Sequence, residues 1–412
     1  MIVSLISIFF YLIPFALISG PFLPDFLISI IGILFIFYVI KNKQYQYFNN
    51  NFFKIFLIFY LYIVLRSLFS ANLIESFQTT IFYFRFSIFV LATYFAIENS
   101  KNFIRIFCLS LLSAIILVAV DGIFQFFYGY NLIGLKQAIP DRVSGLFGKE
   151  SILGSYIVRL TPLLFALLFI NLDKKFFFNY AICFILIILN IAVYISGERT
   201  SFFLMILFDA IFLTLIRINF ILKIFSILLI FLLIFTFSIY KKNISDRMFN
   251  QVYESVFKEK KINIFSLGHQ LHYQAAFKMF QDNYIFGQGV KMFRFECSKE
   301  KYYNDNKYVE GSCSTHPHNT YIQFLAETGL FGFFFIFLCF SYILYNLYKN
   351  YLKLILYKKA NIPLVLILSN IFINLFPFTP TGNFFGNWLS VLYYLPVGFY
   401  LSSIYKNSKS FK

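Results

Sequence analysis

The chain has 412 residues, of which 60% are hydrophobic, 23% aromatic and 13% charged, against roughly 25% charged and 45–50% apolar for an ordinary soluble domain. A water-soluble globule is excluded. Lys and Arg outnumber Asp and Glu by 35 to 18, but the positive charge sits in short clusters between long apolar runs, the pattern of a membrane protein and not of a nucleic-acid binder.

A hydrocarbon core of about 30 Å takes about 20 apolar residues in helix. Twelve segments fit: 2–19, 24–40, 52–69, 77–97, 103–128, 152–170, 176–195, 202–218, 220–240, 319–347, 361–377 and 384–403. The first lacks a basic flank and a small-residue cleavage site, so it reads as a retained span. The division at 219 is the weakest, because only Arg217, Asn219 and Lys223 separate two apolar runs.

Alternate connections differ in charge. One set holds Lys41, Lys43, Lys54, Lys101, Arg105, Lys174, Lys175, Arg217, Lys223, Lys349, Lys353, Lys358, Lys359, Lys406, Lys409 and Lys412. The short connections of the other set hold only Lys136, Arg142, Lys149 and Arg199. Since cytoplasmic loops carry the excess of Lys and Arg, both termini are expected inside. The expected fold is therefore an all-α integral membrane protein of about twelve transmembrane helices. It divides into helices one to nine (1–240), a long, partly helical extracytoplasmic loop (241–318), and helices ten to twelve with a cytoplasmic tail (319–412). In that loop the periodic stretch 271–280 predicts helix, while Asp282-Asn283 and Gly287-Gln288-Gly289 predict turns. Cys297 and Cys313 lie in it as well, and an oxidising compartment would let them pair. Closing that loop would stabilise by about 3 kcal/mol in the chain-entropy model.

Charges within spans are costly and usually face a bundle interior. Arg66, Arg85, Arg159, Asp121 and Glu327 all fall in the outer halves of their spans. With Arg142, Lys149 and Arg199 in outer connections, they describe an electropositive pocket opening outward and an anionic ligand. Snorkelling, or pairing with acidic partners for packing alone, is the competing account of any single arginine.

The sharpest local feature is Thr315-His316-Pro317-His318-Asn319 at the head of an apolar run. Pro317 at a first helical position would place His318 and Asn319 in the first turn, where a helix dipole keeps an imidazole neutral and favours phosphate nearby. His316 is either a further contact or only a shaper of the turn.

His318-Asn319, nine residues, then Gly329-Leu330-Phe331-Gly332 resembles the H-N-x9-G-x-x-G pattern of the bacterial O-antigen ligase and O-antigen polymerase superfamily. The fuller string HPHNTYIQFLAETGLFG, including Glu327, is similar throughout. So are DNYIFGQGV, RVSGLFGKESILGSY around Arg142, and SGERTSF around Arg199. The resemblance spans residues of about 120 to 390. It departs at a second periplasmic-loop arginine of ligases: the matching stretch SLGHQLHYQAAFKMF has His269 at or near that position, with Arg247 the nearest arginine upstream and Arg294 downstream.

The resemblance implies an inner-membrane enzyme with its active site facing the periplasm. It would transfer glycan from undecaprenyl diphosphate to a hydroxyl of lipid A core, without metal or cofactor. His318 would act as base and Arg199 would stabilise the leaving diphosphate. Arg142, Asn319, Arg85, Arg159, Arg66, Lys149, His269, His316 and Glu327 would contribute to substrate binding. Polymerisation of repeat units and glycosylation of protein hydroxyls are open within the same superfamily. A lipid-linked glycan flippase is the rival of another class, although an internal repeat and mid-depth polar groups would be expected of it.

Overall fold

The computed structural model describes residues 1–171, 176–216, 219–257, 265–302, 313–357 and 361–405. Lys174, Lys175, Arg217, Lys358, Lys359, Lys406, Lys409 and Lys412 lie outside the described residues. The protein is an all-α membrane protein, with no strand among the described residues. Its helices are α1 (Ile2–Ala16), α2 (Phe22–Asn42), α3 (Asn51–Ser67), α4 (Leu73–Ile81), α5 (Arg85–Asn99), α6 (Phe103–Tyr128) and α7 (Leu153–Asn171). They continue with α8 (Phe176–Ile195), α9 (Arg199–Leu215), α10 (Phe220–Tyr240), α11 (Leu267–Asp282), α12 (Thr320–Tyr357), α13 (Ile362–Asn374) and α14 (Asn387–Tyr405). Each of the twelve predicted segments holds a helix or a helix pair, and eight stretches among the described residues are long and apolar enough to cross a membrane.

Two predicted spans differ in detail. The fourth is broken at residues 82–84 into α4 and α5, so Arg85 begins a helix instead of lying within one. The tenth starts at Thr320 and runs to Tyr357, with non-helical backbone at Gly329.

The centre of the bundle is α7, which packs on α13 and α6, while α5 packs on α14. Within its most apolar stretch 83% of α7 is buried, against 6% of α10, so α10 is a peripheral helix whose Ile, Leu and Phe side chains are left for lipid. The connections expected to face outward meet at one end. There α11 packs on α12 through Ala275, Ala276, Met279, Phe293 and Ala326. Cys297 and Cys313 form a disulfide with Cα atoms 5.2 Å apart, tying the segment after residue 292 to the irregular approach to α12.

Candidate active site

The residue before α12 decides the site. Asn319, not Pro317, starts the helix: its Oδ1 accepts from the Tyr321 and Ile322 amides at 3.0 and 3.1 Å, and its carbonyl accepts from Gln323 N at 2.8 Å, the geometry of an N-cap. Its Nδ2 donates to Pro377 O at 2.8 Å. With every polar atom of this 4%-exposed side chain engaged, Asn319 holds the helix start and has nothing left for a substrate. His318 is pushed out of the helix into left-handed backbone with φ of 59°, a conformation that costs a non-glycine residue of order 1 kcal/mol or more. Its carbonyl accepts from Thr381 N at 2.9 Å.

All four histidines of the chain converge here. The His318 ring lies 4.1 Å from His316, 5.2 Å from His272 and 5.5 Å from His269, centroid to centroid. Helix α11 supplies His269 and His272 on successive turns of one face. Burial lowers all four below the usual imidazole range, reinforced by their mutual repulsion for His269, His272 and His316. His272 falls to about 4 and His316 to about 3. Among the described residues no three His, Cys, Asp or Glu side chains are disposed as a metal-ligand set.

The glycines of the H-N-x9-G-x-x-G pattern have a backbone explanation. Gly329, with φ of 60°, interrupts α12, and the freed groups pair with the 284–289 turn: Leu330 N donates to Tyr284 O, Gln288 N to Ala326 O and Gly289 N to Glu327 O. A Cβ on Gly287 would stand 2.5 Å from the Glu327 carbonyl carbon, and one on Gly329 2.3 Å from Ile285 O. The two main chains meet only because both residues lack side chains. Arg66 closes the far side of this turn, donating from Nη2 to Gly287 O at 2.5 Å and from Nε to Phe286 O at 3.1 Å.

A second group of charges lies on the α11 side of His318. Gly197, with φ of 67°, lets Asp141 O, the Arg142 side chain and the Arg247 side chain approach its α-carbon face. Arg247 donates from Nε to Gly197 O at 2.8 Å and pairs with Asp141 at 3.2 Å. Glu198 accepts from the Gly154 and Ser155 amides at 2.7 and 3.0 Å, capping α7, and burial raises its carboxyl to about 7 despite the Arg142 charge. Arg199 opens α9 within electrostatic reach of Arg247, Arg142 and Asp141, and its own charge acts on His269. Arg142 donates to Ser151 O at 2.8 Å while its Nε is buried without a partner. Burial pulls this guanidinium below its ordinary value, opposed by Glu198 and reinforced by Arg247.

The remaining residues of the expected pocket are placed otherwise. Arg159 is buried, donating to Ser155 Oγ and to Asn374, with its guanidinium over Tyr393. Glu327 is fully buried and accepts from Phe293 N at 3.2 Å and Gln323 Nε2 at 2.9 Å. Arg85 pairs with Asp25 at 2.9 Å and donates to Asn387 Oδ1 at 2.9 Å. Lys149 is exposed. Arg66, Arg159 and Glu327 therefore brace the backbone around the site; a position in the outer half of a span does not distinguish that task from ligand binding. His272 and Arg247 join the site without having been assigned to it from the sequence, where Arg247 was only the nearest upstream arginine to the departed loop position. The i, i+3 spacing of His269 and His272 was available as a signal for the one; no motif marked the other.

These features define a multi-pass, all-α membrane protein with imidazoles and guanidinium groups gathered at one polar end. Residues 182–337, which carry His269, His272, His316, His318, Arg199 and Arg247, match the family model described as O-antigen ligase, so the superfamily resemblance of the sequence holds over that part of the chain. No curated protein matches the chain.

Proposed function

We propose that the protein is an O-antigen ligase that transfers a glycan from undecaprenyl diphosphate to a hydroxyl of lipid A core at the periplasmic face. The observation that carries this reading is the convergence of the four histidine rings on His318, with His269 within electrostatic reach of Arg199. Three guanidinium groups, Arg142, Arg199 and Arg247, with one carboxylate pair between them, suit a lipid diphosphate. The acceptor O–H gives its proton to neutral His318 as the oxygen bonds to the anomeric carbon. The anomeric C–O bond to phosphate breaks, and the diphosphate leaves with the electron pair. Arginines already in position stabilise the charge that develops there. The disulfide between Cys297 and Cys313 supports an oxidising compartment for this end of the molecule.

The test is transfer in membranes supplied with lipid-diphosphate glycan. His318→Ala should lower the rate by about 100- to 10,000-fold with the melting profile unchanged; normal turnover would remove His318 from the role of base. Lipopolysaccharide profiling of a deletion strain separates the reactions. Long chains left on the carrier lipid support a ligase, whereas single repeats would reassign the protein as a polymerase and an unmodified protein pool as a protein glycosyltransferase.

A further inference from the structure

A polar cavity of about 200 Å³ is lined by Glu75, Gln78, Thr79, Arg85, Lys291 and Asn387 among others. We propose that it is the acceptor subsite and takes a sugar residue bearing an anionic substituent, phosphate or carboxylate. This inference rests on the transfer reading above and adds the class of acceptor.

Position is the first argument. His318 is linked to both polar groups. Its ring lies 5.5 Å from that of His269, which feels Arg199. It lies 4.1 Å from that of His316, which feels the charge of Arg294, and Arg294 is 3.7 Å from Glu75 on the cavity wall. A sugar held at the cavity and a diphosphate held by the three arginines are thus linked through one imidazole, which is what a transfer between them needs.

Charge is the second. Lys291 Nζ and Arg294 Nη1 share one carboxylate, Glu75, at 3.8 and 3.7 Å, both beyond hydrogen-bonding distance. The Nε of Arg294 is buried without a partner. Arg85, by contrast, is already satisfied by Asp25 and Asn387. Glu75 is the one carboxylate loosely paired with these two cations, and buried Glu327, held by Phe293 N and Gln323, acts on them only through space, which leaves room for an anion. Asn387 is spent on Arg85 and Asp25, so the amide of Gln78 and the acceptor face of the Thr79 hydroxyl, which donates to Glu75 O, are what the wall offers a sugar, beside the rings of Tyr83 and Phe385.

Backbone is the third. Among the described residues only Lys43, Lys291 and His318 are non-glycine residues with positive φ, 61° at Lys291 and 59° at His318. Glycine would adopt that conformation without penalty, so a lysine there keeps a charge at the cost of strain. Lys291 lies within the segment that matches the family model, whereas residues 75–85 and 387 lie outside it.

The experiment is titration of the full-length protein in detergent with glucose 6-phosphate, glucuronate, glucose and inorganic phosphate. Glucose 6-phosphate, glucuronate or both should bind more tightly than glucose and inorganic phosphate, and which of them does identifies the substituent. Lys291→Gly, which relieves the backbone while removing the charge, should weaken that binding tenfold or more, and Glu75→Gln should strengthen it. Unchanged affinity in Lys291→Gly, equal binding of glucose, or weakening in both variants would overturn the proposal. Binding of undecaprenyl diphosphate is measured in parallel, with Arg199→Ala as its control. Insensitivity of that arm alone would sink the diphosphate reading while leaving the anionic sugar site standing.

Discussion

Burial of the four imidazoles makes the site a store of neutral bases. An unfolded chain takes up protons at imidazoles near pH 6.5, whereas His272 in the folded protein waits until about 4 and His316 until about 3. The unfolded state binds more protons across that interval, so stability rises with pH through it and is lost as pH falls from about 6.5 towards 4. Thermal melts of the solubilised protein should show Tm falling over that range, and a flat Tm would mean that the rings are not buried in neutral form. The same burial keeps His318 free to accept a proton below pH 6.5, so the acid limb of the transfer rate should lie on the acidic side of that value. Arg199→Lys should restore little of the activity lost in Arg199→Ala, because an ammonium cannot reproduce a two-pronged phosphate contact; full rescue in the membrane assay would reduce Arg199 to a point charge.

Helix starts and stops carried most of what could be read in advance. His318 and Asn319 stood out because they head an apolar run at a fixed distance from two glycines. Their division of labour did not: only the structure shows the amide capping α12 and the imidazole displaced into left-handed backbone. Asn319→Ala should therefore destabilise by about 1 kcal/mol through the lost cap, visible as a lower Tm, and should impair transfer by misplacing His318 rather than by weakening donor binding. Loop helix α11 was legible from its period, but its register against His318 was not, since that depends on the disulfide and on contacts between segments dozens of residues apart. Arg66, Arg85 and Arg159 show the same boundary. Their depth followed from counting residues, while their partners, a loop carbonyl, Asp25 and Asn374, come from remote parts of the chain.

Across the bundle, the apolar runs and the alternation of Lys and Arg made the helix set readable, because a bilayer constrains length and composition more tightly than water does. The break in the fourth span was missed since its sequence remains apolar through residues 82–84. At this level the proposed chemistry depends on guanidinium groups from three connections, so transfer should persist in EDTA. A strict requirement for a divalent ion, restored by adding it back, would contradict the mechanism.

The contact between Gly287 and Gly329 reaches beyond packing. Because a methyl group on Gly287 would meet the backbone of residues 327–329, and one on Gly329 the backbone of Ile285 and Phe286, the turn and the interrupted helix are two halves of one clasp, and neither can be inherited alone. A hybrid that receives a foreign segment in place of residues 241–318 but retains its own α12 should lose the histidine arrangement unless the donor's turn brings the same missing side chain. Engineering of acceptor choice would then have to exchange residues on both sides of that seam at once.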